Sequence, residues 1–544
     1  RAPPSSIVDQ RKGPHRTAGG HVGQVGVAAE RAVNRGRAAQ HGDVLLAVAL
    51  PCDRQAGDAR AGLKTPQLLA AARLKRHHGA ETGAAESNGS EAPPYWTVVP
   101  FILLLGAIAV FPLVHATEHW WESNANRFKV AGGLALLTLA YYAFLHRAPI
   151  DSHWPAHSTV VPLESGVQTD FVTAILGNAM LAEFVPFIVL LFSLYTIAGG
   201  IRIEGDFRAD PLTNATIIGF GGLLASLIGT TGAAMLLIRP LLETNSERKH
   251  VVHTVIFFVF VVCNCGGCLL PIGDPPLFLG YLEGVSFTWT LGLWRSWLLV
   301  NGLLLLVYCL LDEFIYYRQE DIRDITRDIQ QTRQLTIKGL ALNGPVLLGV
   351  VLAVALLDPN KAFPGSNWHA WMYLREVVQL ALVAISLHFG AKSIRQANGF
   401  NYSAIVEVAA LFVGIFVCMQ PALQILSANG AAIARSLGST GYFWASGTLS
   451  SFLDNAPTYL VFFKTAQDTA ISGPTGGVPE LILQAISLGS VFMGAMTYIG
   501  NGPNFMVKAI AEKAGIQMPS FFGYMVYSCL ILLPILLLNQ WINL

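Results

Sequence analysis

The sequence predicts an all-α polytopic membrane protein with about ten membrane-spanning helices and two re-entrant hairpins, arranged as two inverted-topology repeats. Only 13% of the 544 residues are charged and 53% are hydrophobic, whereas soluble domains carry about 25% charged residues. From about residue 97 onward, apolar runs of roughly 17–25 residues recur, which is long enough to span the hydrocarbon core as helix. A motif of Gly, Pro and small polar residues interrupts these runs at corresponding places in the two halves. Such paired interruptions are the best sequence indication of a transporter's central site.

Residues 1–92 differ in composition from the rest of the chain. They are rich in Arg, Ala and Gly and contain no Phe, Tyr, Trp or Met. Such a segment buries too little apolar area to offset the entropy lost on ordering, so we expect a disordered or spurious N-terminal extension.

The first repeat is predicted over residues 97–311. Its helices are expected at about 97–114, 130–145, 184–200 and 289–311, with residues 149–183 at the surface. A hairpin is predicted at about 216–242, broken at Gly229-Thr-Thr-Gly232, and a broken helix at about 251–285, interrupted at residues 271–276.

A charged connector, residues 312–338, precedes the second repeat, residues 339–544. The expected helices are at about 339–357, 377–389, 405–426 and 521–542. A second hairpin is predicted at about 442–463 and a second broken helix at about 481–510. The two helix breaks read IGDPPLF (272–278) and IGNGPNF (499–505), and they match at Ile, Gly, Pro and Phe.

The distribution of Lys and Arg in short loops predicts the orientation. Five basic residues place the central connector in the cytoplasm: Arg318, Arg323, Arg327, Arg333 and Lys338. The loop at 358–371 has a single Lys or Arg and is expected outside. The two hairpins would then enter from opposite faces of a bacterial inner (plasma) membrane.

The helix breaks indicate ion binding. Unwound backbone at membrane depth persists only where it is buried in protein or lines a watery cavity, and its freed carbonyls offer ligands to cations. The glycines are expected to permit the turn dihedrals, and the prolines, which lack an N–H, to hold the helix open. These helix-break residues are Gly273, Pro275, Pro276, Gly500, Gly502 and Pro503.

Two carboxylates, Asp454 and Asp274, are predicted near mid-membrane, where a charge costs at least about 2.5–3.5 kcal/mol and is rarely accidental. Burial favours the protonated form, so proton binding would compete with cation binding. The predicted oxygen ligands around them are Asn455, Thr458, Thr230, Thr231, Asn501 and Asn504, with a Na⁺ site at Asp454, Asn455 and Asn501. In the alternative reading, Asp454 caps the half-helix that follows it.

Two further motifs suggest metal chemistry. Cys263-Asn-Cys265-Gly-Gly-Cys268 is better explained by close helix packing, because no nearby His or second Cys pair completes a tetrahedral site. His115-Ala-Thr-Glu118-His119 fits the H-x-x-E-H pattern and keeps a membrane-embedded metallohydrolase open as a remote alternative. Glu183 is interpreted as a loop or boundary charge.

Four motifs carry a family resemblance: FSLYTIAGG (192–200), GTTGAAMLLIRP (229–240), PIGDPPLFLG (271–280) and LDNAPTY (453–459). Over about residues 95–544 the chain resembles the ion transporter superfamily. Within it, the chain is similar to citrate-transporter-like proteins often named sodium:proton antiporters, which are related to arsenite permeases. The resemblance implies inverted repeats, a scaffold part and a mobile transport part, ion-coupled alternating access and often a homodimer.

Together these observations predict a Na⁺/H⁺ antiporter rather than an enzyme. It would transport Na⁺ and H⁺, need no cofactor and have no nucleic-acid partner, since the net charge is only +1. Dicarboxylate carriers of this superfamily have Ser-Asn-Thr at both hairpin tips, whereas these tips read Gly-Thr-Thr-Gly and Asp-Asn-Ala-Pro. No Arg or Lys marks the central motifs, where anion recognition would favour one. A cation-coupled transporter of citrate or another small carboxylate remains the alternative.

Overall fold

A computed structural model describes residues 92–544 except residues 113, 156–157, 322–332, 360 and 468–472. The predicted N-terminal extension, apart from its last residue, and the middle of the predicted connector therefore lie outside the described residues. The described part is mainly helical, and two small two-stranded sheets accompany the helices.

The helices of the first half lie close to the predicted positions. In chain order they are α1 (Tyr95–Val110), α2 (His115–Trp121), α3 (Asn124–Phe144), α4 (Thr169–Ala198), α5 (Pro211–Ile228), α6 (Thr230–Thr244), α7 (Val252–Leu269), α8 (Pro275–Leu282) and α9 (Trp289–Gln319). The strands are β1 (Ile150–Ser152), β2 (Ser158–Val160), β3 (Arg202–Asp206) and β4 (Arg333–Lys338), paired as β1 with β2 and β3 with β4.

The second half follows the same order of elements around its own helix break. Its helices are α10 (Leu340–Leu356), α11 (Leu374–Phe389), α12 (Lys392–Ala397), α13 (Ser403–Cys418), α14 (Gln420–Phe452), α15 (Asn455–Ala466), α16 (Glu480–Met496), α17 (Gly502–Lys513) and α18 (Phe521–Asn543). Helix α14 is kinked at Gly438, whose φ of 59° lies in the left-handed region that glycine tolerates.

Among the described residues, five helices are long and apolar enough to cross a membrane: α4, α5, α7, α9 and α18. A sixth span results if α13 and the start of α14, which meet at a bend of 43°, are taken together. This composition fits a helical membrane protein. The number of about ten spans and the inverted arrangement of the halves stay predictions.

Helix α7 lies at the centre of the packed core. All of its residues from 255 to 263 are completely buried, so it contacts protein on every side. A helix that is apolar all round and fully enclosed presents no face to lipid or water. The break that ends α7 is therefore held inside the protein, as unwound backbone at membrane depth requires.

Four short segments interrupt the helices near this core. The first tip is the turn between α5 and α6, where Gly229 adopts a φ of 82°. The second tip, residues 453–454, joins α14 to α15. The first break, residues 270–274, separates α7 from α8, and the second break, residues 497–501, separates α16 from α17. The sequence predicted all four positions.

The prediction for residues 169–183 was wrong. This stretch, expected at the surface, forms the first half of α4, which includes a π-helical segment from Gly177 to Phe184. The charge of Glu183 separated two apolar stretches in the sequence and suggested a helix end between them. In the structure the helix continues through Glu183 without interruption.

The predicted connector is also more ordered at its ends than its charge suggested. Residues 312–319 continue α9, and Asp312 is buried and paired with Arg248. Strand β4 pairs antiparallel with β3, with Arg202 opposite Lys338. The sheet ties the end of the connector to the segment that follows α4.

Candidate ion-binding site

The carboxylate of Asp274 lies where both tips and both breaks meet. Its residue is 1% exposed. The Thr230 hydroxyl donates to Oδ1 over 3.0 Å, and the Asn501 amide donates to the same oxygen over 3.1 Å. The Asn455 amide donates to Oδ2 over 2.6 Å. The four side chains come from four separate segments, so the tertiary fold rather than local sequence assembles this contact.

Four helices begin at this carboxylate. Helices α6 and α15 start at Thr230 and Asn455, while α8 and α17 start directly after Asp274 and Asn501. Each helix N-terminus carries the equivalent of about half a positive charge from its aligned peptide dipoles. The four N-termini therefore favour negative charge at Asp274 and offset part of the cost of burying it.

Asp274 and Asn501 occupy matching positions in the two breaks. Asp274 has φ −141° and ψ 142°, and Asn501 has φ −152° and ψ 137°. Both residues are extended and immediately precede a helix whose first turn contains proline, a position where the missing N–H costs no hydrogen bond. Pro275, Pro276 and Pro503 thus begin the half-helices.

The glycines of the breaks are needed for space rather than for their dihedral angles. A Cβ on Gly273 would lie 2.1 Å from the carbonyl oxygen of Gly267, and one on Gly500 would lie 2.5 Å from that of Gly494. Neither glycine has a positive φ. Gly502 has open space where a Cβ would lie, and its backbone is helical. The predicted reason for these three glycines, a turn dihedral, was therefore wrong.

A chain of asparagines extends the site away from Asp274. The Asn501 amide also donates to the Cys263 carbonyl over 3.0 Å and to Asn264 Oδ1 over 3.3 Å. The Asn264 amide donates to Asn504 Oδ1 over 2.8 Å, and the Asn504 amide donates to the Thr497 carbonyl over 3.0 Å. Sequence reasoning missed Asn264. Its signal was a fully polar side chain within the apolar run of α7, beside the three cysteines.

Asp454 caps α15. Its Oδ1 accepts a hydrogen bond from the Ala456 N–H over 3.1 Å, and its carbonyl accepts one from the Thr458 hydroxyl over 3.0 Å. Asp454 is half-buried, and its charge repels that of Asp274. The predicted Na⁺ ligands Asn455 and Asn501 both contact Asp274. The predicted site residues thus come together, with Asp274 at their centre and Asp454 at the edge.

The remaining predicted residues have weaker connections to this centre. Thr231 is half-buried one position beyond Thr230. The Asn455 side chain is completely buried, and its Oδ1 has no hydrogen-bond partner within the described part of the chain. That oxygen lies on the same amide that donates to Asp274, so a free oxygen ligand is held next to the carboxylate.

Cys263, Cys265 and Cys268 are all buried in the core. Among the residues that the structure describes, no group of three His, Cys, Asp or Glu side chains is placed to hold a metal ion. The side chains of His115 and Glu118, the two residues that would begin a metallohydrolase motif, lie outside the described set.

Interrupted helices that meet at a buried polar centre are typical of secondary transporters, and the fold places this chain among helical membrane transporters. A family model described as "Putative citrate transport" matches residues 90–160 and 153–544. The chain belongs to this family, which confirms the resemblance inferred from the motifs.

The chain is also similar to an uncharacterized transporter of Mycobacterium bovis and to one of Mycobacterium tuberculosis. Each is 24% identical over 366 residues, which cover 62% of this chain and 80% of the relative.

Proposed function

We propose that this protein is a secondary transporter that exchanges Na⁺ for H⁺ at Asp274 by alternating access. The observation that carries the proposal is the neutral surrounding of a buried carboxylate. Thr230, Asn455 and Asn501 donate to Asp274, and among the described residues no Lys or Arg is bonded to it. A carboxylate without a fixed cationic partner is free to take either a proton or a metal cation.

Competition for one carboxylate would couple the two ions. An isolated buried charge is costly, so the carboxylate is expected to carry either a proton or Na⁺ whenever it is shielded from water. The donors and the four helix N-termini make the ionised form accessible when a cation arrives. Release of the proton to one face and binding of Na⁺ from that face would then complete half of the exchange cycle.

The amides supply the oxygen ligands that a hard cation prefers. An asparagine presents both an acceptor oxygen and a donor NH₂ group, and rotation of the side chain exchanges them. The free Oδ1 of Asn455 could turn towards a cation at Asp274, and the Thr230 hydroxyl offers lone pairs when it no longer donates. Asp454, at the edge of the site, would attract cations towards it.

Transport of citrate or another small carboxylate with a coupling cation is the second candidate. The observation that favours it is the convergence of four helix N-termini, which form an anion-binding environment. The family description points in the same direction. In this case Na⁺ would neutralise Asp274, and the amide groups would face the substrate.

One experiment separates the two candidates. The purified full-length protein is reconstituted into liposomes that hold a pH gradient and a pH-sensitive dye. Antiport predicts that added Na⁺ dissipates the gradient without citrate. Na⁺-dependent uptake of labelled citrate, with no Na⁺-driven proton movement in its absence, would overturn antiport and support the second candidate.

A further inference from the structure

Glu183 lies at the midpoint of α4, a 30-residue apolar helix. At 1.5 Å per residue such a helix is about 45 Å long, and its midpoint is about 20 Å from either end. A carboxylate there cannot reach the water of the interface by extending its side chain. Ionisable groups inside a membrane span are costly, and they usually mark an ion pathway.

The surroundings of Glu183 leave part of its carboxylate without a partner. The side-chain amide of Gln420, at the start of α14, stabilises it. Its Oε2 atom is buried without a hydrogen-bond partner among the described residues. Glu183 also lies in the π-helical segment of α4, and such segments occur frequently at functional sites.

Two charged side chains complete the cluster. Lys464 and Glu283 form a short ion pair in which both side chains are 19% exposed. Lys464 attracts the carboxylate of Glu183, and Glu283 repels it. Two carboxylates thus share one ammonium group, and the cluster has room for one more positive charge.

The helix ends around this cluster also favour a cation. Glu283 directly follows the last residue of α8, and Lys464 lies in the last turn of α15. The C-terminus of a helix carries partial negative charge and stabilises cations. The unpartnered oxygen and the two helix ends are independent observations, and both indicate a positively charged ligand.

The same two helices connect the cluster to Asp274. Helix α8 begins at Asp274 and α15 begins at Asn455, which donates to Asp274. The nine residues from Asn455 to Lys464 span about 14 Å along the helix axis. The packed pair α8 and α15 therefore has the central carboxylate at its N-termini and the charged cluster at its C-terminal ends.

We propose that Glu183 and Glu283 form a second binding station for a monovalent cation, on the path between one membrane face and Asp274. The Lys464 ammonium occupies the station when no ion is present, and an entering cation displaces it. This inference rests on the cation exchange proposed for Asp274, and it adds the place where the cation first binds.

The test measures the Na⁺ concentration at half-maximal exchange in liposomes containing the full-length protein. Glu183→Gln removes a cation ligand and is expected to raise this concentration tenfold or more. Lys464→Gln removes the competing ammonium and is expected to lower it several-fold. A purely structural ion cluster predicts a loss of maximal rate in both variants without opposite shifts.

Two further variants guard the interpretation. Glu183→Asp keeps the charge and is expected to restore the Na⁺ dependence to within about threefold of the wild type if the carboxylate itself is the ligand. Glu164→Gln removes an exposed charge that precedes α4 and serves as the matched control. Wild-type Na⁺ dependence in Glu183→Gln, or shifts of the same sign in Glu183→Gln and Lys464→Gln, would overturn the second station.

A binding measurement distinguishes this failure from failure of the proposed function. The rise in melting temperature with added Na⁺ is recorded for the purified wild type, Asp274→Asn and Glu183→Gln proteins. The second station predicts that Asp274→Asn retains part of the rise and that the double variant loses it. If the wild type exchanges no Na⁺ for H⁺ but shows this pattern, antiport is wrong and the second station stands. Exchange that depends on Asp274 alone contradicts only the second station.

Discussion

The Asn455 amide donates to the Asp274 carboxylate over 2.6 Å and joins residues 181 positions apart in the chain. One partner belongs to the second tip and the other to the first break. A hydrogen bond to an ionised group contributes about 1.5–3 kcal/mol, more than a neutral one. The two copies of the sequence motif are therefore joined at the carboxylate itself, and changes in either copy are expected to disturb the same site.

The second break tolerates no side chain at Gly500. In Gly500→Ala the new Cβ would lie 2.5 Å from the Gly494 carbonyl oxygen, and overpacking of this kind costs about 1–3 kcal/mol or more. We expect a lower melting temperature and loss of transport. Gly502→Ala, two residues further on, places its Cβ in open space and is the control. Equal stability of the two variants would contradict the close packing of this break.

The Thr230 hydroxyl stabilises the Asp274 carboxylate through a 3.0 Å hydrogen bond. Thr230→Val keeps the shape but removes the donor, and we expect it to destabilise the site by about 1–3 kcal/mol, because a buried acceptor loses a partner. Thr230→Ser keeps the hydroxyl and is expected to retain transport. The measurement is the initial rate of Na⁺-dependent proton movement. A rate in Thr230→Val that equals that of Thr230→Ser would show that the hydroxyl has no role in the site.

The two readings of Asp454 predict different results for one pair of substitutions. Asparagine caps helices as well as aspartate does, whereas alanine in place of a cap costs about 0.5–2 kcal/mol. If capping is the main role, Asp454→Asn keeps exchange and Asp454→Ala lowers stability. Loss of exchange in Asp454→Asn, with the melting temperature unchanged, would instead identify Asp454 as an ion ligand.

The β3–β4 sheet is expected to weaken at low pH. Hydrogen bonds from Lys338 and Arg202 hold the pKa of Glu204 below its usual value of 4.5. A group with a lowered pKa stabilises the fold fully above its ordinary pKa, and this stabilisation is lost as the pH falls through the lower, folded-state value. Below pH 4.5 the sheet amides should therefore exchange hydrogen faster relative to those of Glu204→Gln. An equal difference between the two proteins at neutral and acidic pH would exclude this role.

Much of the fold could be predicted from the sequence because its signals are local. Gly229 marks a turn, and the Gly-Asp-Pro-Pro and Gly-Asn-Gly-Pro stretches interrupt apolar runs where helices cannot continue. These signals located both tips and both breaks within a few residues. Their repetition in the two halves also indicated that they meet.

The detailed geometry of the site depends on packing that the sequence does not show. Asp454 and Asp274 both appear as polar interruptions, but only the fold surrounds Asp274 with three donors and leaves Asp454 at a helix cap. Asn264 lies in an apolar run, and nothing local shows that it faces Asn501 and Asn504. Glu183 was assigned to a helix end because a charge in an apolar run usually indicates one.

The central claim is that Asp274 carries the exchanged ion. The most direct measurement compares Na⁺-induced dissipation of a pH gradient in liposomes that contain wild-type, Asp274→Asn or Asp210→Asn protein. Asp210→Asn is the matched control, because Asp210 caps α5 away from the site and asparagine preserves such a cap. The account predicts dissipation by the wild type and by Asp210→Asn, and none by correctly folded Asp274→Asn. Dissipation by Asp274→Asn at the wild-type rate would contradict it.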